Sequence, residues 1–246
     1  MKSHMSVSQY KRWQQCPAKE YAKQTGQYID VPGPALHGGS YVDLRLFGGD
    51  AQGYAESNDM LTKSGALNRT SYGWCEAAID RVKNSEQAMA MLAGESRVKL
   101  DFEFAGVQWN GDIDCLPEGL PEYFVDLKTC KDFLPVWKEV DGKRRPLPFY
   151  EAWDYWVQMA VYWYAVEKNR DPLILAVTKH KERPGLKALE FADYDRLERE
   201  LERVEQNMPL IELWKSGLET APGCGSLKCD WCRGESLEIE RAESLF

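Results

Sequence analysis

Asp114, Asp126 and Lys128 are the side chains of this sequence best placed to do chemistry together. They lie in GDIDCLPEGLPEYFVDLK (111–128), where two apolar-polar runs flank a Gly/Pro turn. Strand residues alternate faces, so Asp126 and Lys128 point the same way while Leu127 points into the core. If the two runs pair as a hairpin, Asp114 comes close to Asp126. Two carboxylates facing each other in a partly buried site repel unless a cation lies between them. A hard divalent ion with oxygen ligands is the natural occupant, and a nearby lysine then steadies an anionic substrate or a hydroxide at the ion.

The elements that must hold these residues can be read on either side of them. Arg97–Phe104 alternates polar and apolar, and Val107–Cys115 and Tyr123–Thr129 supply two more strands, so a three-strand meander is expected. Glu151–Lys168 (EAWDYWVQMAVYWYAVEK) is read as one buried aromatic helix. Gln158 and Tyr162 lie one turn apart on it, and a buried amide such as Gln158 needs partners. Leu173–Thr178 and Leu186–Phe191 read as further strands, and 192–216 as an amphipathic helix ended by Gly217.

Upstream, Ser6 caps a short helix that runs into Cys16-Pro17, with Tyr10 and Trp13 on one face. Residues 48–70 are expected to form a loop or flap, and Tyr72–Ala93 to be helical with an interruption near Asn84-Ser85. Glu76 on that segment is either within reach of the site or a surface charge. The segment 131–148 reads as a loop carrying Lys138, Lys143, Arg144 and Arg145. Those cations either contact a phosphate backbone or are simply solvated.

At 246 residues with 43% apolar side chains and nine tryptophans, the chain has material for one large folded domain. No apolar run approaches the roughly 20 residues of a bilayer span and no secretory signal opens the sequence, so a soluble cytoplasmic protein without a membrane partner is expected. The net charge of −8 argues against a broad nucleic-acid-coating surface but leaves room for a local basic one.

Seven cysteines, an odd number, argue against a disulfide framework. Cys224, Cys229 and Cys232 crowd near the end at metal-ligand spacing, suited to zinc or an iron–sulfur cluster, with unligated thiols as the third reading.

The spaced Asp114 and Asp126-Leu127-Lys128 resemble the active-site core of the PD-(D/E)XK nucleases, in particular their RecB/Cas4-like and phage RecE-like exonuclease branch. The resemblance covers roughly 6–232. It implies an α/β fold with a mixed central sheet flanked by helices, a nuclease domain at 1–217, and a Cys-rich segment at 218–246 that packs back on the N-terminal helix. It implies that Asp114, Asp126 and the Leu127 carbonyl bind Mg²⁺ or Mn²⁺, and that Lys128 positions or deprotonates the attacking water. Gly39-x-x-x-Asp43 fits a motif in which a histidine usually ligates the metal, making Asp43 either a ligand or a solvated helix charge. Gln158-x-x-x-Tyr162 resembles a motif that lies beside the active site and helps place the strand end.

Cys16 with Cys224, Cys229 and Cys232 resembles the one-plus-three layout that holds a [4Fe–4S] cluster, although the family usually has its third tail cysteine downstream of the Cys-x-x-Cys pair. The implied function is a DNA exonuclease of phage-type recombination or DNA processing, with an annealing or recombination partner protein and a homo-oligomer among its expected associations. Two rivals stand beside it: a non-catalytic DNA-binding or assembly protein on the same fold, and a metabolic α/β protein in which Asp114, Asp126 and Lys128 form a structural ion-pair network.

Overall fold

In the computed structural model the described residues are 4–140, 142–226 and 229–235, so parts of the expected C-terminal segment, 227–228 and 236–246, lie outside them. The chain opens with β1 (His4–Met5), α1 (Val7–Gln15) and α2 (Pro17–Gln24). Ser6 accepts the Gln9 amide and starts α1, which buries Val7, Tyr10 and Trp13, and Pro17 at the first turn of α2 forces the chain to restart after Cys16.

The helices α3 (Pro34–Leu46), α4 (Ala51–Ser57), α5 (Arg69–Tyr72), α6 (Cys75–Lys83) and α7 (Glu86–Met91) follow. The expected loop at 48–70 thus contains a helix. Asp50 caps it by accepting the Gly53 amide, and only the small residues Ala51 and Ala55 are buried, so its apolar stripe is too thin to stand out in sequence. The helical stretch expected at 72–93 is broken into three, with a second interruption at Gly73-Trp74.

The strands β2 (Gly94–Phe104), β3 (Val107–Pro117) and β4 (Tyr123–Cys130) form the expected meander. After them come β5 (Val136–Val140) and β6 (Lys143–Leu147), an antiparallel hairpin in place of the expected loop. Its turn holds Gly142 at φ +69°, a left-handed position that favours glycine. The expected single helix at 151–168 is instead α8 (Phe149–Ala152) and α9 (Tyr155–Ala165), separated by Trp153 and by Asp154 at φ +50°. β7 (Asp171–Thr178), β8 (Leu186–Glu190), α10 (Tyr194–Ser216) and α11 (Asp230–Glu235) complete the order, with Gly217 at φ +75° closing α10.

A mixed six-stranded sheet organises the fold. β4 and β7 run parallel, joined by a crossover through α8 and α9, while β2–β3, β3–β4 and β7–β8 are antiparallel. One face is covered by α1, α9 and α10 around Trp13, Trp109, Phe124 and Met159. The other is covered by α3 to α7 around Val42, Ile79, Val125 and Leu175. Among the described residues no helix is long and apolar enough to cross a membrane.

The third strand is where the sheet departs from regularity. β2 takes the whole of one edge of β3. The other edge is shared, with β1 opposite Gln108 and Trp109 and β4 opposite Cys115. On this second edge, between those contacts, Asn110–Asp114 has no strand registered against it. Ile113 and Cys115, which a regular strand would put on one face, are buried on opposite sides of the sheet. The switch falls at Asp114, across from Arg97, which holds φ +56° in the middle of β2. A non-glycine residue there stores strain, and such strain persists where the surroundings over-determine it.

Candidate active site

The gap in the β3–β4 ladder is filled by a side chain. Leu127 N–H donates to Asp114 Oδ2 at 2.6 Å, so the carboxylate stands where a backbone carbonyl would complete the ladder. The register that sets Cys115 against Val125 brings Asp114 beside Asp126. Asp126 is 2% exposed and is held from two directions. Gln158 Nε2 on α9 donates to Oδ1 at 2.7 Å, and the Lys128 ammonium lies 2.5 Å from Oδ2, which has no other partner. The buried amide of Gln158 thus has its partner. Tyr162, one turn on, packs its ring against β3 at Gly111, where a Cβ would stand 2.9 Å from a ring carbon.

The electrostatics follow from burying like charges. Burial, then the Asp126 charge, pushes the Asp114 carboxyl up to about 8, against the weaker pull of Lys128 and the Leu127 amide. Burial works to strip Lys128 of its proton, but Asp126 and Asp114 outweigh it and hold the pKa above the ordinary lysine value. Burial raises the Tyr155 and Tyr162 phenols to about 12, so both are neutral donors near neutral pH. Two buried carboxylates side by side, one of them bearing an ammonium, suit a hard divalent ion: it would offset the burial and the repulsion that raise the Asp114 pKa.

Asp43 lines the same cleft, but Arg97 Nη2 holds its Oδ2 at 2.8 Å, the Arg97 side chain being delivered by its left-handed backbone. Burial, opposed chiefly by Arg97, raises the Asp43 pKa. Glu76 is occupied elsewhere, accepting from Tyr41 Oη and Arg45 Nη1, each at 2.7 Å.

Two cations near the centre carried no motif in the sequence. Arg97 is one. Lys11 is the other: its ammonium and that of Lys128 lie over the Tyr155 ring at 5.1 and 5.5 Å. Burial, then the Lys128 charge, lowers Lys11 to about 8. A lysine on an N-terminal helix gives no spacing signal toward β4, so only the fold reveals either residue.

The cleft above these residues measures about 1340 Å³ and includes Asp43, Asp114 and Lys128 in its lining, with Trp137 and Trp153 at its rim. Of the hairpin cations, Lys138 reaches the Trp153 ring at 4.5 Å and lines a neighbouring hollow beside the cysteines. Lys143, Arg144 and Arg145 stand exposed on β6, none among the cleft-lining residues. Cross-strand pairing puts Lys138 with Arg145 and Val140 with Lys143 on one face of the hairpin, and Arg144 with Glu139 on the other.

The second cluster joins the two ends of the described chain. Cys16, Cys224, Cys229 and Cys232 place their sulfurs within 4.8 Å of one another, the only such metal-ligating group among the described residues. Cys16 Sγ lies 3.5 Å from Cys232 and 3.8 Å from Cys229, and Cys224 lies 3.7 Å from Cys232. Lys19 binds Asp230 at 2.7 Å and Ala18 N–H donates to the Pro222 carbonyl, so α2 carries the tail residues on its first turns. Burial pushes the Cys16 thiol up to about 12. Burial also raises Cys229, but hydrogen bonds from Cys232, Cys16 and Cys224 more than offset it and leave that thiol below its ordinary value. Four converging thiols without a cation are a donor set that a thiophilic metal completes. Cys75, Cys115 and Cys130 are buried apart from it.

Comparison with known proteins accords with this geometry. The model of the family described as "PDDEXK-like domain of unknown function (DUF3799)" matches residues 6–235. A crystal structure of a Eubacterium rectale protein named "Putative exonuclease" superposes with a TM-score of 0.83 at 27% identity, covering 98% of this chain and 91% of that one. The structure of SSO0001 aligns over 82% of this chain at 12% identity with a TM-score of 0.27, a likeness too slight to inform the fold. No curated protein matches the sequence.

Proposed function

This chain belongs to the family of PDDEXK-like domains, within the PD-(D/E)XK nuclease superfamily, and on that premise we propose that it is a divalent-metal-dependent DNA nuclease acting from strand ends in recombination or DNA processing. The observation that carries the reading is the set of restraints on Asp126, pinned by Gln158 and Lys128 with Asp114 at its side. The Eubacterium rectale protein's name supports the exonuclease part of it.

Asp114 and Asp126 would hold the ion, with the Leu127 carbonyl, which faces the same strand edge as its amide. The ion, when bound, supplies positive charge to the phosphate undergoing attack. Lys128 does the rest of the polar work. While the carboxylates hold its proton it stabilises an anion, and once their charge is engaged elsewhere its pKa falls toward that of a base for water. Hydrolysis then forms one P–O bond to the water oxygen and breaks one to the leaving oxygen, which takes a proton. Gln158 keeps Asp126 oriented, and Tyr162 fixes α9 against β3. The four thiols hold a structural metal, an iron–sulfur cluster or zinc, that ties the chain ends together away from the chemistry.

The test is digestion of linear and circular duplex and single-stranded DNA with Mg²⁺ or Mn²⁺, beside the Lys128→Ala protein, both purified without oxygen. Loss of linear DNA alone, abolished by the substitution, is expected. Cutting of circles as well would make the enzyme an endonuclease. No cutting by folded, metal-replete protein would leave a DNA-binding protein on the nuclease fold.

A further inference from the structure

Large apolar side chains are unevenly exposed on this molecule. Ten are exposed among the described residues, and four of them, Leu36, Leu134, Trp137 and Trp153, line the cleft over Asp114 and Lys128. Trp137 and Trp153, 59% and 51% exposed, are the only exposed tryptophans among the described residues. Neither is exposed by accident of a frayed end. Trp137 is fixed in β5 opposite Pro146. Trp153 is turned out where α8 stops and Asp154 takes a left-handed φ of +50° before α9 begins. Cations flank Trp153: Lys138 lies over its ring at 4.5 Å and Lys11 donates to its carbonyl at 3.1 Å, while Lys131 lines the cleft that both indoles share.

Indole planes beside cations, at the mouth of a site that handles phosphodiesters, match one ligand chemistry. Bases stack on aromatic faces whatever their sequence, and the ammonium groups follow the backbone. A duplex keeps its interior base faces stacked on one another and opens only those of its terminal pair, so an unpaired strand is what offers successive bases to two indoles. We propose that Trp137 and Trp153 form a stacking platform for the bases of an unpaired DNA strand whose backbone passes Lys128. This rests on the nuclease reading for the identity of the strand, and it deepens that reading: the strand enters single, or peeled from a duplex end. The net charge of −8 is no obstacle, because stacking supplies the part of the affinity that a broad basic surface would otherwise give.

The test uses Trp137→Ala, Trp153→Ala, the double variant and the matching Phe variants, each checked for an unchanged melting temperature. Affinity for a fluorescein-labelled oligothymidylate, and for a blunt duplex of equal length, is measured by anisotropy without added divalent ion. The rate of cutting of the single strand at subsaturating concentration is measured with Mn²⁺. The expected result is a loss of about fivefold or more in single-strand affinity per Trp→Ala change, larger in the double variant, with the Phe variants close to wild type and duplex affinity little altered. Single-strand affinity unchanged in the double variant, or equal losses for strand and duplex, overturns the platform, as does wild-type protein that binds no single strand. Tryptophan-dependent binding in a protein that cuts nothing would sink the nuclease reading and leave the platform standing. Efficient cutting that ignores both substitutions would do the reverse.

Discussion

Two places in this molecule gather side chains from separate parts of the chain, by opposite means. The carboxylate–lysine centre is fixed by backbone. Asp114 replaces a carbonyl in the β3–β4 ladder, and Asp126 is tethered to α9 through Gln158. Each charge there already has a partner in the protein, so the centre keeps its shape before any ion arrives. Around the cysteine cluster the ties among the described residues are looser, the Ala18 amide on the Pro222 carbonyl being one of them. Its four sulfurs meet one another across the span from Cys16 to Cys232, supported by exposed contacts such as Lys19–Asp230. Exposed ion pairs contribute little, so the clasp depends on what the thiols bind. Preorganised geometry belongs to the carboxylate–lysine centre; on the proposed reading the clasp between the chain ends rests on a metal.

The largest effect that could break this contrast is on cutting. Lys128→Ala should lower the rate by about 10³-fold, within the range for a positioned acid–base group, and stay folded because Gln158 still holds Asp126. Cys229→Ser, assayed well below its melting temperature, should retain most of the wild-type rate. If gel assays show the cysteine variant as inactive as the lysine variant while it remains folded, the cluster is part of the chemistry and the contrast fails.

Stability should respond the other way. Losing the thiolate-bound metal opens a closure spanning most of the chain, and we expect Cys229→Ser or chelation to cost about 2–5 kcal/mol, by analogy with removing a covalent link. For a protein of this size that lowers the melting temperature by roughly 5–20 °C. Calorimetry with metal and sulfide analysis checks this, and equal melting temperatures with and without metal would show that the clasp staples nothing.

The active centre carries its own signature in pH. Burial and the Asp126 charge push the Asp114 carboxyl of the folded chain up to about 8, from the ordinary 3.8 it has when unfolded. Between those values the folded state holds a proton that the unfolded state has lost, so this group's contribution to stability is largest below about pH 4 and declines as pH rises to about 8. A divalent ion must displace that proton. Its apparent affinity should therefore rise about tenfold per pH unit up to about pH 8, then level off. Melts with and without Mn²⁺ between about pH 6 and pH 9 test this. Asp114→Asn should melt at or above the wild-type temperature without metal, and should lose the metal-induced shift; a shift that survives in that variant would remove Asp114 from the ion's ligands.

How much of this was legible in the sequence follows the range of each interaction. The strands β2, β3 and β4 are period-two facts, readable from short windows, and the approach of Asp114 to Asp126 follows once β3 and β4 pair across their short turn, although the switch of faces at Asp114 does not. Gln158 was conspicuous because an amide amid apolar residues demands a partner. The hairpin of β5 and β6 was signalled by Asp141-Gly142 between Val140 and Lys143, but three basic residues and a proline masked its alternation. The break at Asp154 was hidden because every residue of 151–168 tolerates a helix. Arg97, Lys11 and the exposure of Trp137 and Trp153 depend on which surfaces the fold brings together, which no window contains. In sequence Asp43 is either a ligand or a solvated charge, because its Arg97 partner lies on a strand more than fifty residues away.

The smallest expected effect sharpens the picture of the hairpin. Lys138, Lys143 and Arg145 share a face with no acidic neighbour opposite them, while Arg144 stands across from Glu139. A cation already facing a carboxylate has less charge to give a phosphate. If a DNA backbone runs along the hairpin, Lys143→Ala and Arg145→Ala should each weaken binding slightly for every sequence and reduce the slope of log affinity against log salt by about one. Arg144→Ala should change that slope less. Salt titrations of binding by the three single variants decide the point. Equal slopes in all three and in wild type would mean the hairpin cations are solvated, leaving its tryptophan as the hairpin's contact with the strand. A larger effect from Arg144 would put the backbone on the face shared with Trp137, drawing phosphate and base contacts to one side of the hairpin.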